Sequence, residues 1–333
     1  MKRFLSLVCT ALVLAVSVFG ISCSKEQADV LNFYAPDGAP AFAIAKFIND
    51  GEDFGTDATI NYNVVASSDI GGVMSQGKGD FIVMPVNAAT KLYKANKNSP
   101  YVMTAVITHG NLYLMSSDNT TTLDGLKGKV VGVIGKGLVP DLTLKAVLTD
   151  ADLIDQTIVG DTATDGKIVL RYFPSAQDMI LVLKHGNLSV GLLPEPAATN
   201  LTAVANNKEW NRLDLQVLYD NIERAYPQAV LMVRKSVYEK YKTQIDQMEP
   251  LFNQNLEWVK QNTELAVNAV NGKLAEGVTA SLVASKISAQ VVENCKIYYQ
   301  ASNDAEQFVK EYINKIIAVS AQSAKVVSDD FFA

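Results

Sequence analysis

Four acidic residues, Asp37, Asp69, Asp141 and Glu195, stand with serines, an asparagine and glycines in short loops between apolar runs and helix starts. Carboxylates and amides of this kind bind a polar solute, glycines let backbone amides approach it, and Tyr34 and Phe173 offer rings for stacking. The candidate ligand-binding residues are Tyr34, Asp37, Gly38, Ser67, Ser68, Asp69, Pro85, Asn87, Gly137, Leu138, Asp141, Phe173, Ser175, Glu195 and Tyr226. Each also has a plainer role. Ser68, Asn87 and Ser175 suit helix N-caps, and Ser175 with Asp178 forms an S-x-x-D capping box. Gly38 and Gly137 suit turns, Asp37 and Asp141 turns or caps, and Glu195 a helix N-terminus. Catalytic chemistry is poorly supplied: there is no Ser/His/Asp or Cys/His arrangement and no P-loop, and Gly135-Lys136-Gly137-Leu138 lacks the rest of a dinucleotide fingerprint. His109 and His185 have no Cys or carboxylate at ligand spacing, so neither a metal nor a cofactor is expected, and both imidazoles are expected at the surface or at helix ends. Cys295 is expected to be buried as a small hydrophobe.

The loops that carry these residues belong to a unit that occurs twice. Residues 66–90 and 175–199 align without a gap at an offset of 109, with seven of 25 positions identical, including Gly77/Gly186, Pro85/Pro194 and Ala-Ala-Thr at 88–90 and 197–199. Each copy reads as cap, amphipathic helix, Gly stop, apolar strand, Pro and a new helix. Two copies at this spacing predict two similar α/β lobes facing each other across a cleft. In open parallel sheets ligands lie beyond the carboxyl ends of the strands, the rule that selects the loops above. The equivalent corners Pro85-Val86-Asn87 and Pro194-Glu195-Pro196 offer an amide in one lobe and a carboxylate in the other, which predicts an asymmetric cleft. The first lobe reads as strands at 30–34, 60–65 and 81–84 with a helix over 41–49; strands at 102–108 and 112–116 pass toward the second lobe. There, strands are expected at 130–134, 169–173 and 215–219, and the strand 230–233 returns the chain, which is read as helical from Ser236 onward.

Residues 1–22 form a secretory signal, with Lys2 and Arg3 ahead of an apolar run. Gly20-Ile21-Ser22-Cys23, followed by polar residues, resembles a bacterial lipobox in which Gly20 replaces the usual Leu. Lipidation, for example by palmitate, is therefore expected at Cys23, with 23–29 as a tether. The remaining divisions are a first part of lobe 1 at 30–115, lobe 2 at 116–220, and a return to lobe 1 with C-terminal helices at 221–333. Without Lys2 and Arg3, 27 basic side chains face 35 acidic ones, a net charge of about −8. Nucleic-acid binding is not expected of so acidic a chain.

The stretches YAPDGAPAFAIAKF, GDFIVMPVNAATKLY, TLDGLKGKVVGVIGKGLVPDLTLKAVL, VGLLPEPAATNL and YPQAVLMVRKSVYEKY resemble solute-binding proteins of ABC importers in the nitrate/sulfonate/taurine and thiamine-pyrimidine-precursor group. The resemblance covers roughly residues 30–270. It implies an α/β, two-lobed periplasmic-binding-protein fold, each lobe a mainly parallel sheet flanked by helices, with solute captured by hinge closure and passed to permease subunits. A monomer is expected, exported and held on a bacterial membrane by acyl chains on Cys23. With Asp37, Asp69, Asp141 and Glu195 in the selected loops and only Lys136 as a nearby cation, a neutral or cationic nitrogenous heterocycle is favoured over a sulfonate or nitrate. The rival readings are an enzyme on the same two-lobed architecture and a surface lipoprotein with an adhesive role.

Overall fold

The computed structural model describes residues 28–204, 209–219 and 226–333; the signal segment and Cys23 lie outside the described residues. Twelve strands are present among these: β1 Val30–Pro36, β2 Thr59–Val65, β3 Phe81–Pro85, β4 Tyr101–His109, β5 Leu112–Ser116, β6 Lys129–Ile134, β7 Thr157–Val159, β8 Ile168–Phe173, β9 Val190–Pro194, β10 Asn211–Asp214, β11 Pro227–Arg234 and β12 Gln300–Ala301. They form two six-stranded sheets, ordered β12-β4-β11-β3-β1-β2 and β10-β5-β9-β6-β8-β7. Each sheet is mixed. β1 pairs in parallel with β2 and β3, and β6 with β8 and β9, whereas the strands that carry the chain between lobes add antiparallel pairs at β3–β11 and β9–β5.

The duplication is visible in this order. β3 lies between β1 and β11 as β9 lies between β6 and β5, so β1 corresponds to β6 and β3 to β9. Both copies end their first helix on a left-handed glycine, Gly77 at φ 64° and Gly186 at φ 75°, the conformation that closes a helix without a Cβ penalty. The central strands are apolar on both faces because helices cover both: Phe81–Met84 and Val190–Leu193 are buried throughout. In lobe 1, Phe33 stacks between Phe81 and Tyr62 of the neighbouring strands, with centroids 5.3 and 5.5 Å away.

The chain leaves the first sheet at His109 and enters the second at Leu112. Between them Gly110 donates to the Tyr226 carbonyl at 3.0 Å, and a Cβ here would sit 2.8 Å from the Tyr226 ring, so the crossing strands approach closely only because residue 110 has no side chain. Tyr226 donates to Gln216 Oε1 at 2.7 Å, and Gln216 bonds both backbone groups of Leu112. His109 is not at the surface or a helix end. It is fully buried at the end of β4, stacked on Tyr298 at 3.7 Å with Nε2 3.3 Å from Gln300 Oε1, because β4 carries it into the crossing. His185 does close a helix, Ala176–Lys184, and Cys295 is buried at the end of Ala289–Asn294.

Two further expectations are corrected. Leu215–Tyr219 is a short helix, not a strand, since Asp214 Oδ1 accepts from the amides of Gln216 and Val217 and caps it; the strand is Asn211–Asp214. The chain after Ser236 is not continuously helical: a loop follows Thr263–Asn271, and the last helix, Ser302–Val319, gives way to an extended tail. That last helix touches both lobes. It packs on β4 and β11, while Tyr312 meets Thr143 Oγ1 at 2.9 Å and Lys315 pairs with Asp150 at 2.6 Å in the lobe 2 helix Val139–Asp150. No helix among the described residues is long and apolar enough to cross a membrane.

Candidate functional site at the meeting of the lobes

Two places where the lobes touch contain Asp37, Asn87 and Asp141 from among the polar loop candidates. At the first, β1 ends and the chain turns at Asp37-Gly38 into the helix Ala39–Phe42. The Asp37 amide donates to Val65 O at 3.0 Å, fixing the turn to the end of β2. Its Oδ2 accepts from the Ser281 amide at 2.7 Å, while Oδ1 is buried without a hydrogen-bond partner. From lobe 2, Asn200 in the helix Ala197–Val204 donates Nδ2 to the Ser281 carbonyl at 3.1 Å, and its Oδ1 is likewise buried and unpartnered.

At the second place, β3 ends at Pro85 and the helix Val86–Ala95 begins. Asn87 does not cap this helix; it lies in the first turn, 2% exposed, and faces out of its lobe. Its Nδ2 donates to Gly137 O of lobe 2 at 3.1 Å and to Ser323 O of the C-terminal tail at 3.0 Å, leaving Oδ1 buried without a partner. Gly137 is held in place by Asp141, whose Oδ2 accepts its amide at 2.8 Å. Asp141 also accepts from Tyr172 at 2.7 Å and pairs with Lys145 at 3.0 Å. Burial, and then the bond to Asp141, raise the Tyr172 hydroxyl above its ordinary range. Asp141 is therefore a brace for the turn that presents the Gly137 carbonyl to Asn87.

Glu195 is also committed within its own lobe. Its side chain is fully buried; Oε1 accepts from Arg212 at 2.5 Å and from Thr199 Oγ1 at 2.9 Å, and Oε2 from the Thr199 amide at 3.1 Å. Arg212 lies 3.5 Å over the Tyr113 ring, and although burial lowers its pKa, Glu195 and Tyr113 outweigh that and raise it. The acids at 141 and 195 thus carry their own cations, and the charge that would repel an anion is largely compensated. Neither Arg212 nor Lys145 was among the sequence candidates: Arg212 meets Glu195 only through the fold, whereas Lys145 stands one helical turn after Asp141, a spacing the sequence did carry.

The other candidates are spread more widely. Ser67, Ser68 and Asp69 are exposed in a turn where Ser68 donates to Asp69 Oδ1 at 3.1 Å. Ser175 caps its helix, accepting the Asp178 amide at 3.1 Å and donating to the Asp178 carboxylate at 2.6 Å. Phe173 is buried in the lobe 2 core, while Tyr172 on the opposite face of β8 reaches Asp141. Tyr226 is fully buried in the crossing, Tyr34 and Pro85 are half-buried, and Leu138 precedes the helix Val139–Asp150. Two shallow depressions, of about 80 and about 270 Å³, open elsewhere on the surface, near Val326 and near Tyr299.

Burial raises the Asp37 carboxyl above its ordinary 3.8, against the opposing effect of the Ser281 hydroxyl and amide. A raised value means that the folded chain holds this proton more tightly than the unfolded one. The stabilisation is full below the unfolded value of about pH 4 and is lost as pH rises through the folded value. Urea denaturation at about pH 4 and about pH 7 is expected to show a smaller loss for Asp37→Asn than for the parent; equal losses would remove Asp37 as a source of the slope.

No family model matches the chain, and no curated protein is similar enough in sequence to match it. Among solved structures it superimposes on an ABC transporter protein from Parabacteroides distasonis with a TM-score of 0.72 at 19% identity, over 91% of this chain and 98% of that one. The periplasmic aliphatic sulphonate binding protein SsuA from Escherichia coli gives 0.65 at 13% identity, covering 91% and 96%. The alkanesulfonate-binding protein SsuA from Xanthomonas axonopodis pv. citri bound to MOPS gives 0.60 at 12%, covering 90% and 95%. The fold is the two-lobed α/β periplasmic-binding-protein fold, and SsuA proteins are among its structural neighbours.

Proposed function

We propose that this chain is the solute-binding component of an ABC importer, exported, tethered to the membrane by acyl chains on Cys23, and monomeric. It captures a small solute between its lobes and delivers it to permease subunits. The solute is a neutral or cationic nitrogenous heterocycle with N–H donors. One observation carries that choice: the oxygens Asp37 Oδ1, Asn87 Oδ1 and Asn200 Oδ1 are buried where the lobes meet and make no hydrogen bond with the described residues. Buried acceptors are costly to leave unpaired, by about 1–3 kcal/mol each, and N–H groups relieve that cost whereas a sulfonate, which only accepts, does not. Repulsion by the loop acids does not decide the solute, since Asp141 and Glu195 are ion-paired. Sulfonate-binding neighbours share the architecture and speak for the general role.

Thermal shift against cytosine, 4-aminopyrimidine, ethanesulfonate and nitrate tests the solute class. A true ligand at about a hundred times its Kd stabilises by about 2.7 kcal/mol. The aminopyrimidines are expected to raise the melting temperature and the two anions to leave it unchanged. A shift with ethanesulfonate or nitrate alone would overturn the choice.

A further inference from the structure

We infer that Asn87 and Asn200 are paired latches that couple closure of the lobes to recognition of the solute, an inference that rests on the solute-binding reading above. Each side chain crosses between the lobes by one half of its amide. Asn87, from the corner after β3, donates to Gly137 after β6; Asn200, from the helix after β9, donates to Ser281, which is bonded to Asp37 after β1. Since β3 corresponds to β9 and β1 to β6, the two contacts are related by the pseudo-twofold relation of the duplicated lobes. The residues are not equivalent in the repeat: an offset of 109 places Pro196 opposite Asn87 and Lys91 opposite Asn200. The same device has been assembled at both corners from different positions.

The other half of each amide is the part left over. Asn87 and Asn200 are 2% and 8% exposed, and the Oδ1 of each is buried without a donor. The amide orientation is set by its neighbours: Nδ2 faces main-chain carbonyls in both cases, and a flip would bring oxygen against oxygen. When the lobes part, Asn200 loses Ser281 and Asn87 loses Gly137, keeping only Ser323 of the C-terminal tail, so each amide loses the contact that orients it toward the opposite lobe. Closure thus aims both acceptors, and a solute that donates to them binds the closed form better than the open one, the differential affinity a shift in conformation requires. Two C-terminal segments complete the corners, Ser323 beside Asn87 and Ser281 beside Asn200, and neither belongs to the repeated unit.

Small-angle scattering of the ligand-free full chain and its Asn87→Asp and Asn200→Asp variants tests the latch without any solute. The substitution keeps the shape and replaces a donor by an acceptor facing a carbonyl, so each variant is expected to show a larger radius of gyration than the parent. Asn87→Ala and Asn200→Ala serve where an Asp variant fails to fold, as judged by circular dichroism, and are expected to expand in the same direction. Folded variants that scatter like the parent would overturn the latch, as would a parent already as expanded as its variants. With cytosine as probe, each Ala variant is expected to bind at least about tenfold more weakly; unchanged cytosine affinity would overturn the coupling to recognition. If no compound binds the parent while the variants still expand, the solute reading has failed and the lobe contact has not.

Discussion

Arg212→Ala is expected to lose about 3–5 kcal/mol of folding stability, because it leaves the Glu195 carboxylate buried without its cation. The Glu195 side chain has no exposed surface, whereas Arg212 is 30% exposed, so the penalty falls on the acid. Thr199 supplies two hydrogen bonds to the carboxylate from its amide and hydroxyl, but those donors carry no net charge. Loss of the guanidinium from the Tyr113 face removes a further contact at 3.5 Å. Urea denaturation measures the effect. A double variant, Arg212→Ala with Glu195→Gln, is expected to recover most of the loss, since a neutral amide still accepts from Thr199 and no longer needs a cation. A loss below about 1 kcal/mol for the single variant, the range of an exposed pair, would show that water screens Glu195 and that its burial is not maintained in solution.

The Glu195 case shows what sequence reading misses. The repeat located the corner at 194–196, and the expectation of a carboxylate facing a cleft followed from its place after a strand. Arg212 is 17 positions away on β10, which meets β9 only through β5, and no local spacing announces the pair. The same holds for Ser281 and Ser323. Asn200 directly follows the repeated Ala-Ala-Thr at 197–199, a signal that was present; Ser281 and Ser323 lie in segments with no periodic pattern and reach the site only through tertiary structure.

Local signals fared better where the physics is local. Ser175 caps its helix as its spacing with Asp178 predicted, although the Asp178 carboxylate returns to the Ser175 hydroxyl and not to its amide; Gly77 and Gly186 end equivalent helices in the left-handed region, and Pro85 and Pro194 end equivalent strands. The failure at 215–219 has the same origin: a short apolar run reads as a strand, and Asp214 just ahead of it decides otherwise by capping a helix. Parallel pairing at the centre of each sheet was legible from the β-α-β pattern, but the order was not, since β3 and β9 pair with β1 and β6 and not with the strands that precede them. The antiparallel flanks depend on where the crossing strands insert, which hydrophobic pattern does not encode.

Phe331→Ala is expected to cost about 3–5 kcal/mol and to release the C-terminal tail from lobe 1. Phe331 is fully buried and makes edge contacts at 5.0 Å with both Tyr93 and Phe332. Its neighbours add polar contacts: Tyr93 donates to Asp330 at 2.8 Å, the Lys325 amide donates to Thr90 Oγ1 at 3.3 Å, and Lys310 pairs with Asp329 at 2.8 Å. The last pair contributes little, since Asp329 is 90% exposed and an exposed ion pair is worth at most about 1 kcal/mol. The aromatic anchor therefore governs whether residues 320–333 stay docked. Lys325 is exposed between Ser323, at the Asn87 corner, and the anchor, which makes it a reporter. Limited trypsinolysis is expected to cut Phe331→Ala after Lys325 well below its melting temperature, while the parent resists. Because Ser323 is one of two carbonyls that hold the Asn87 amide, the released tail is also expected to weaken solute binding with Asn87 itself untouched. A variant that loses less than about 1 kcal/mol and keeps Lys325 protected would show that the tail is held by its other contacts and that Phe331 is not the anchor.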